Sequence, residues 1–146
     1  MTLRADLPAE RLLAHIKTSG LLTNFVDIDG NNQGATPSTA GMINMDQVSA
    51  DSRAVQVRVQ GNDQLADSEV SMEQLPCSVY VFSKRELSDV TITEGLTRQL
   101  REWLRSNKRS ADDCIISIQS FGLGGPFIAE EGRVYYELPL LVRFVL

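Results

Sequence analysis

The sequence predicts an α+β domain: a mainly antiparallel β-sheet with two helices packed on one face, in the order helix, strands, helix, strands. Three observations carry this expectation. Val55, Val57 and Val59 alternate with Gln56, Arg58 and Gln60, the two-residue period of a strand with one buried face. Ile92, Leu96, Leu100, Trp103 and Leu104 recur at helical spacing, with Arg98, Gln99, Arg101, Glu102 and Arg105 on the opposite face. The run from Arg133 to Leu146 is long enough for a single extended closing strand.

The elements follow in order. Leu7-Pro8-Ala9-Glu10-Arg11 places a proline and an acid where a first helical turn accepts them. Leu12, Leu13 and Ile16 share one face, and Gly20 supplies a stop. The apolar stripe is narrow, so this helix is expected to lie half exposed. Asn24–Asp29 alternates as a short strand would. The stretch from Gly30 to Ala40 has no large apolar residue, and mobile loops are expected at about 30–50 and 62–75. Cys77–Ser83 forms a second strand, paired antiparallel with Ala54–Gly61. The second helix is introduced by Thr91 and Glu94 at capping-box spacing, or one turn earlier by Ser88. Asn107-Lys108-Arg109 ends it with positive charge at the negative pole of the dipole. Cys114–Phe121 is a third strand, broken by the bend Gly122-Leu123-Gly124-Gly125-Pro126. Pro139 has no N–H to give a ladder, which places the closing strand at an edge or a bulge.

Composition narrows the function. The 146 residues fall within the size of one domain, and 42% hydrophobic with 23% charged residues are the proportions of a soluble globular protein. Fourteen Lys+Arg against 19 Asp+Glu give a net charge of -5, whereas a general nucleic-acid binder needs a cationic surplus. No apolar run approaches the roughly 20 residues that span a bilayer. Asp6 falls where a signal peptide would begin its apolar core. Two cysteines make no disulfide scaffold or metal motif, so the chain is expected to be intracellular when made and thiol-reduced.

Chemistry-bearing residues are sparse. His15 is the sole histidine, and only Arg11 shares its helix face, which gives a general base nothing to orient it. Cys77 and Cys114 begin strands and read as small core residues. Asp112-Asp113 and Glu130-Glu131 read as solvated loop acids. Asp27-Ile28-Asp29-Gly30-Asn31 lacks the twelfth-position glutamate of a calcium loop. The glycine-rich bend precedes a strand, so it makes no phosphate cradle. It carries Leu123, Phe127 and Ile128 either to an exposed contact or beneath the sheet edge. Arg98, Arg101, Arg105 and Arg109 form a stripe suited to an acidic neighbouring subunit or, less well, to phosphates. No catalytic, cofactor or metal site emerges. The candidate contact residues are Leu123, Phe127, Ile128, Arg98, Arg101 and Arg105.

The layout resembles the tail terminator family of long-tailed bacteriophages, also called tail completion or minor tail proteins. The residues behind the resemblance are the helix around Leu12-Leu13-Ile16, the strand Val55–Gly61, and the helix Ile92–Leu104. The closing pattern runs from Ile116-Ser117-Ile118-Gln119 through Gly125-Pro126-Phe127 and Glu130-Glu131-Gly132-Arg133 into the last strand. In that family a Gly-Pro-Phe-like turn and an acid before Gly-Arg commonly introduce that strand. The resemblance implies a non-enzymatic virion protein without cofactors. It would form a hexameric ring that caps the tail tube, ends its polymerisation and offers the head a docking surface. Its partners would be further copies of itself, the tail tube protein and a head-tail connector or neck protein. Genomic DNA would pass through the channel without specific binding, and no membrane would be involved. Assembly would take place in the host cytoplasm, with the finished ring at the tail-neck junction of the virion. Another neck or connector protein of the same virion, or a small non-phage binding domain, is the alternative.

Overall fold

The computed structural model describes residues 7–41, 48–60, 65–67, 72–129 and 132–145. Two helices, α1 (Pro8–Lys17) and α2 (Asp89–Ser106), accompany seven strands. These are β1 (Ser38–Ala40), β2 (Ala54–Val59), β3 (Leu65–Asp67), β4 (Met72–Phe82), β5 (Ile115–Ser120), β6 (Gly124–Ile128) and β7 (Val134–Val145). The sheet runs β1-β2-β4-β7-β5, with β3 also paired to β4 and β6 to β7. Every pairing is antiparallel except that of β1 with β2. The fold is α+β, as the periodicity predicts.

Strand alternation decides which face is covered. Val55 and Val57 of β2, Cys77, Val79 and Val81 of β4, and Leu138, Leu140, Val142 and Phe144 of β7 are all buried. They share one core with Leu12, Leu13 and Ile16 of α1 and Leu96, Leu100 and Leu104 of α2. Each fully buried leucine contributes about 1.5–3 kcal/mol of transfer free energy. The alternate residues, among them Arg58, Tyr80, Tyr135 and Glu137, face away from the helices.

Several local expectations are corrected. The Asn24–Asp29 strand is a turn closed by one isolated bridge between Val26 and Asn32. Asp27 Oδ1 accepts the backbone N–H of Asp29 and of Asn31 at 3.0 and 2.9 Å, and this local bonding outcompetes a strand ladder. Part of the expected loop at 30–50 is strand β1, because Ser38, Thr39 and Ala40 pair through backbone alone and need no large side chains. In the expected loop at 62–75, Leu65–Asp67 pairs with Met72–Gln74. Residues 42–47, 62–64 and 68–71 of those two loops lie outside the described residues.

Helix α1 is more buried than its apolar stripe implies, since Arg11 and His15 are also covered. An Arg11 Nη1–H donates to the Val145 carbonyl at 2.8 Å, and the His15 Nε2–H to the Asn107 carbonyl at 2.7 Å. Helix α2 starts after Ser88, so Thr91 already lies within its first turn and no capping box forms there. The bend at 122–126 is itself partly strand, because β6 begins at Gly124 and pairs with β7.

Pro139 does not mark an edge: β7 lies inside the sheet, between β4 and β5. The N–H and C=O of a strand residue point to the same side. The Pro139 carbonyl accepts the Phe121 N–H at 3.1 Å, so the missing donor faces the gap where β5 has ended and β6 has not begun. Pro76 in β4 follows the same rule. Its carbonyl accepts the Gln60 N–H beyond the end of β2.

Candidate functional site

The sequence-derived contact residues fall into two groups. Arg98 and Arg105 are exposed on the outer face of α2, in loose pairs with Glu94 (3.4 Å) and Glu102 (3.5 Å). Such exposed i,i+3 and i,i+4 pairs contribute only about 0.3–0.5 kcal/mol, so both guanidinium groups are readily redirected to a partner. Arg101 has a different task. Its Nε–H donates to the Phe121 carbonyl at 3.0 Å and ties α2 to the turn after β5.

That turn separates its apolar residues. Leu123 is half-buried against the core, which is the tucked arrangement, while Phe127 is 41% and Ile128 83% exposed. The sharp approach of the turn to β7 needs a glycine. Gly125 has φ +116°, and a Cβ there would stand 3.0 Å from the Tyr135 carbonyl oxygen. The next peptide, Gly125-Pro126, is cis. The Phe127 ring then packs on Tyr135 with centroids 5.3 Å apart.

Phe127 thereby joins an aromatic group, on the sheet face turned from the helices, that sequence reading did not assemble. Tyr135 lies 5.3 Å from Phe82 and 6.0 Å from Tyr80. With Gln56 and Arg58 these three rings line a depression of about 260 Å³. Beside it the Ser78 hydroxyl donates to Glu137 Oε2 at 2.7 Å, and Gln60 Nε2 donates to the Tyr80 hydroxyl at 2.7 Å. Burial raises the Tyr80 phenol above its ordinary value, and the neighbouring Glu137 carboxylate adds to the rise. The available signal was Tyr80 and Phe82 alternating with Val79 and Val81, which puts both aromatics on the second face.

A second concavity of about 370 Å³ opens between the 25–29 turn and α2, with Phe25, Ile92 and Gly95 at its floor. Asp27, Asp29 and Glu94 stand at its rim, and Ile28 projects beside it, 98% exposed. Asp27 Oδ2 also accepts from Gln33 Nε2 at 2.6 Å. Its carboxyl is held below the ordinary value chiefly by the Asn31 amide, against the opposing effect of desolvation. These oxygens are committed to shaping the turn. Among the described residues, no three His, Cys, Asp or Glu side chains converge on a point where a metal ion would sit.

The remaining reactive residues have structural surroundings. His15 packs against Trp103 with ring centroids 4.7 Å apart and the planes tilted by 47°, as it bonds Asn107. The Asp113 carboxylate accepts the Ser110 hydroxyl at 2.7 Å, and Glu130 and Glu131 lie outside the described residues. Cys77 is buried, and burial pushes its thiol up to about 12 from an unfolded value near 9. A raised acid pKa favours the folded state fully below the unfolded value. That contribution is lost as pH climbs from about 9 toward 12, at a slope of up to about 1.4 kcal/mol per pH unit. We expect Cys77→Ala to flatten the alkaline fall in stability across this window; urea titrations at several pH values would measure it, and equal slopes would refute the assignment.

No family model matches the chain, and no curated protein matches it significantly.

Proposed function

We propose that this chain is a structural phage virion protein. Its copies assemble into a ring that caps the tail tube, ends tube polymerisation and receives the head. The observation that carries this reading is that, among the described residues, the sheet ends in two unlike lateral edges with no further strand beyond them: β1 and β3 on one side, β5 and β6 on the other. A closed ring needs two different patches on each subunit that complement one another across a rotation. A sheet with dissimilar free edges provides them. The exposed Phe127 and Ile128 of β6 add an apolar spot to the second edge, suited to the tube or neck protein. The resemblance in layout suggests six subunits. The net charge of -5 suits a channel through which DNA slides without adhering.

Electron microscopy of the purified chain mixed with polymerised tail tubes tests the reading. Annuli at one tube end and tubes of arrested length are the expected result. Bare tube ends, with the chain sedimenting as a monomer at every concentration, would remove it.

A further inference from the structure

We infer that adjacent copies of this chain join by strand addition. Strand β3 of one copy pairs antiparallel with the outer side of β5 in the next, against the basic C-terminal end of α2. The inference rests on the self-assembly proposed above and names its contact.

On the receiving side, β5 ends the sheet, and among the described residues its outer side is met only at its first residue, where Ile115 exchanges backbone hydrogen bonds with Ser110. The Phe121 N–H points inward to Pro139, so strand alternation turns the N–H and C=O of Ile118 and Ser120 outward. Such a row of free backbone groups is a template for a further strand. Ser117, Ile118, Gln119 and Ser120 line a groove of about 400 Å³ with Arg105 and Lys108. From Glu94 to Arg109 the chain holds five cations (Arg98, Arg101, Arg105, Lys108 and Arg109) against two acids. This is a concentration of positive charge in a protein whose net charge is -5.

The donating side is opposite in both place and sign. Strand β3 pairs with β4 past the end of β2, and among the described residues nothing pairs with its other side. The sequence from Val59 to Ser83 contains Asp63, Asp67, Glu69 and Glu73 and no Lys or Arg.

Direction agrees as well. Along β3-β4-β7-β5 each neighbour is antiparallel to the last, so β3 of a second copy in the same orientation meets β5 antiparallel. A copy moved sideways with a small rotation therefore continues both the alternation and the sheet. That is the head-to-tail relation of a cyclic assembly.

Two charge-reversed chains test the contact, Arg105→Glu with Lys108→Glu and Asp67→Lys with Glu73→Lys. Each alone is expected to self-associate at least about tenfold more weakly in sedimentation, since like charges then face each other. Their equimolar mixture is expected to regain assembly, because every reversed edge then finds its complement, and only even-numbered rings can alternate. Ser120→Pro, which removes one outward N–H without altering charge, is expected to weaken assembly in a chain of unchanged circular dichroism. Wild-type rings that tolerate all three changes would overturn this contact and leave the ring standing. A wild-type chain that never leaves the monomer, with or without tubes, would overturn both.

Discussion

Arg133→Met is expected to lower the unfolding free energy by about 3–5 kcal/mol, among the largest effects available to a single side chain here. Arg133 is fully buried. Its Nη1 donates to the carbonyls of Ser52 (2.6 Å) and Ser83 (2.8 Å), and its Nη2 to those of Val48 (3.0 Å) and Ser49 (2.6 Å). One guanidinium thus closes the 48–52 segment over the end of β4 and the start of β7. Hydrogen bonds to a charged donor contribute about 1.5–3 kcal/mol each, and removing the donor leaves buried carbonyls without it. Methionine keeps the volume of the stem and supplies no donor. Lysine carries a single ammonium that lacks the planar fork, so Arg133→Lys is also expected to destabilise. Urea denaturation followed by circular dichroism measures the difference, and a loss under about 1 kcal/mol would contradict the role assigned to this residue.

Asp89→Ala is expected to cost a comparable amount, about 3–5 kcal/mol, by stranding the buried guanidinium of Arg53. The two side chains are each 3% exposed and form an ion pair through Arg53 Nη2 and Asp89 Oδ1, with Arg53 Nε donating to Oδ2 at 3.0 Å. The same carboxylate accepts the Lys84 N–H at 2.9 Å and the Thr93 hydroxyl at 3.1 Å. Arg53 Nη2 continues to Gln33 Oε1 at 3.2 Å, which links the start of α2 to β2 and to the 27–33 turn. Because the penalty comes from the unpaired partner, Asp89→Leu combined with Arg53→Met should cost much less than the two single changes together. A double-mutant cycle reads this directly. Strict additivity would show that the pair is not coupled as its geometry implies.

These two residues also show where sequence reading stops. Arg133 stands in the sequence only within the pattern that leads into the last strand, and Asp89 was not singled out at all. Nothing local distinguishes them from solvated charges, because the partners of Arg133 lie 50–85 residues away along the chain and the ion-pair partner of Asp89 lies 36 away. The aromatic face turned from the helices was partly legible in the alternation of Tyr80 and Phe82 with valines. Its completion by Tyr135 and Phe127 depended on the β4–β7 and β6–β7 registers. Of the proposed contact residues, Arg98, Arg105, Phe127 and Ile128 are outward-facing. Arg101 and Leu123 are partly committed to the fold, through the Phe121 carbonyl and the core.

By itself the sequence determined the α+β class, the two helices, and the strands around 54–59, 77–82, 115–120 and 134–145. Each of these rests on periodicity, which needs only the geometry of one element and a dry side for it to face. Tertiary structure alone decided the strand order, the interior position of Pro139, the short strands β1, β3 and β6, and the burial of Arg11, His15, Arg53 and Arg133. Those features depend on backbone and polar groups meeting partners from distant segments, and a polar side chain carries no local mark of whether water or a carbonyl will satisfy it.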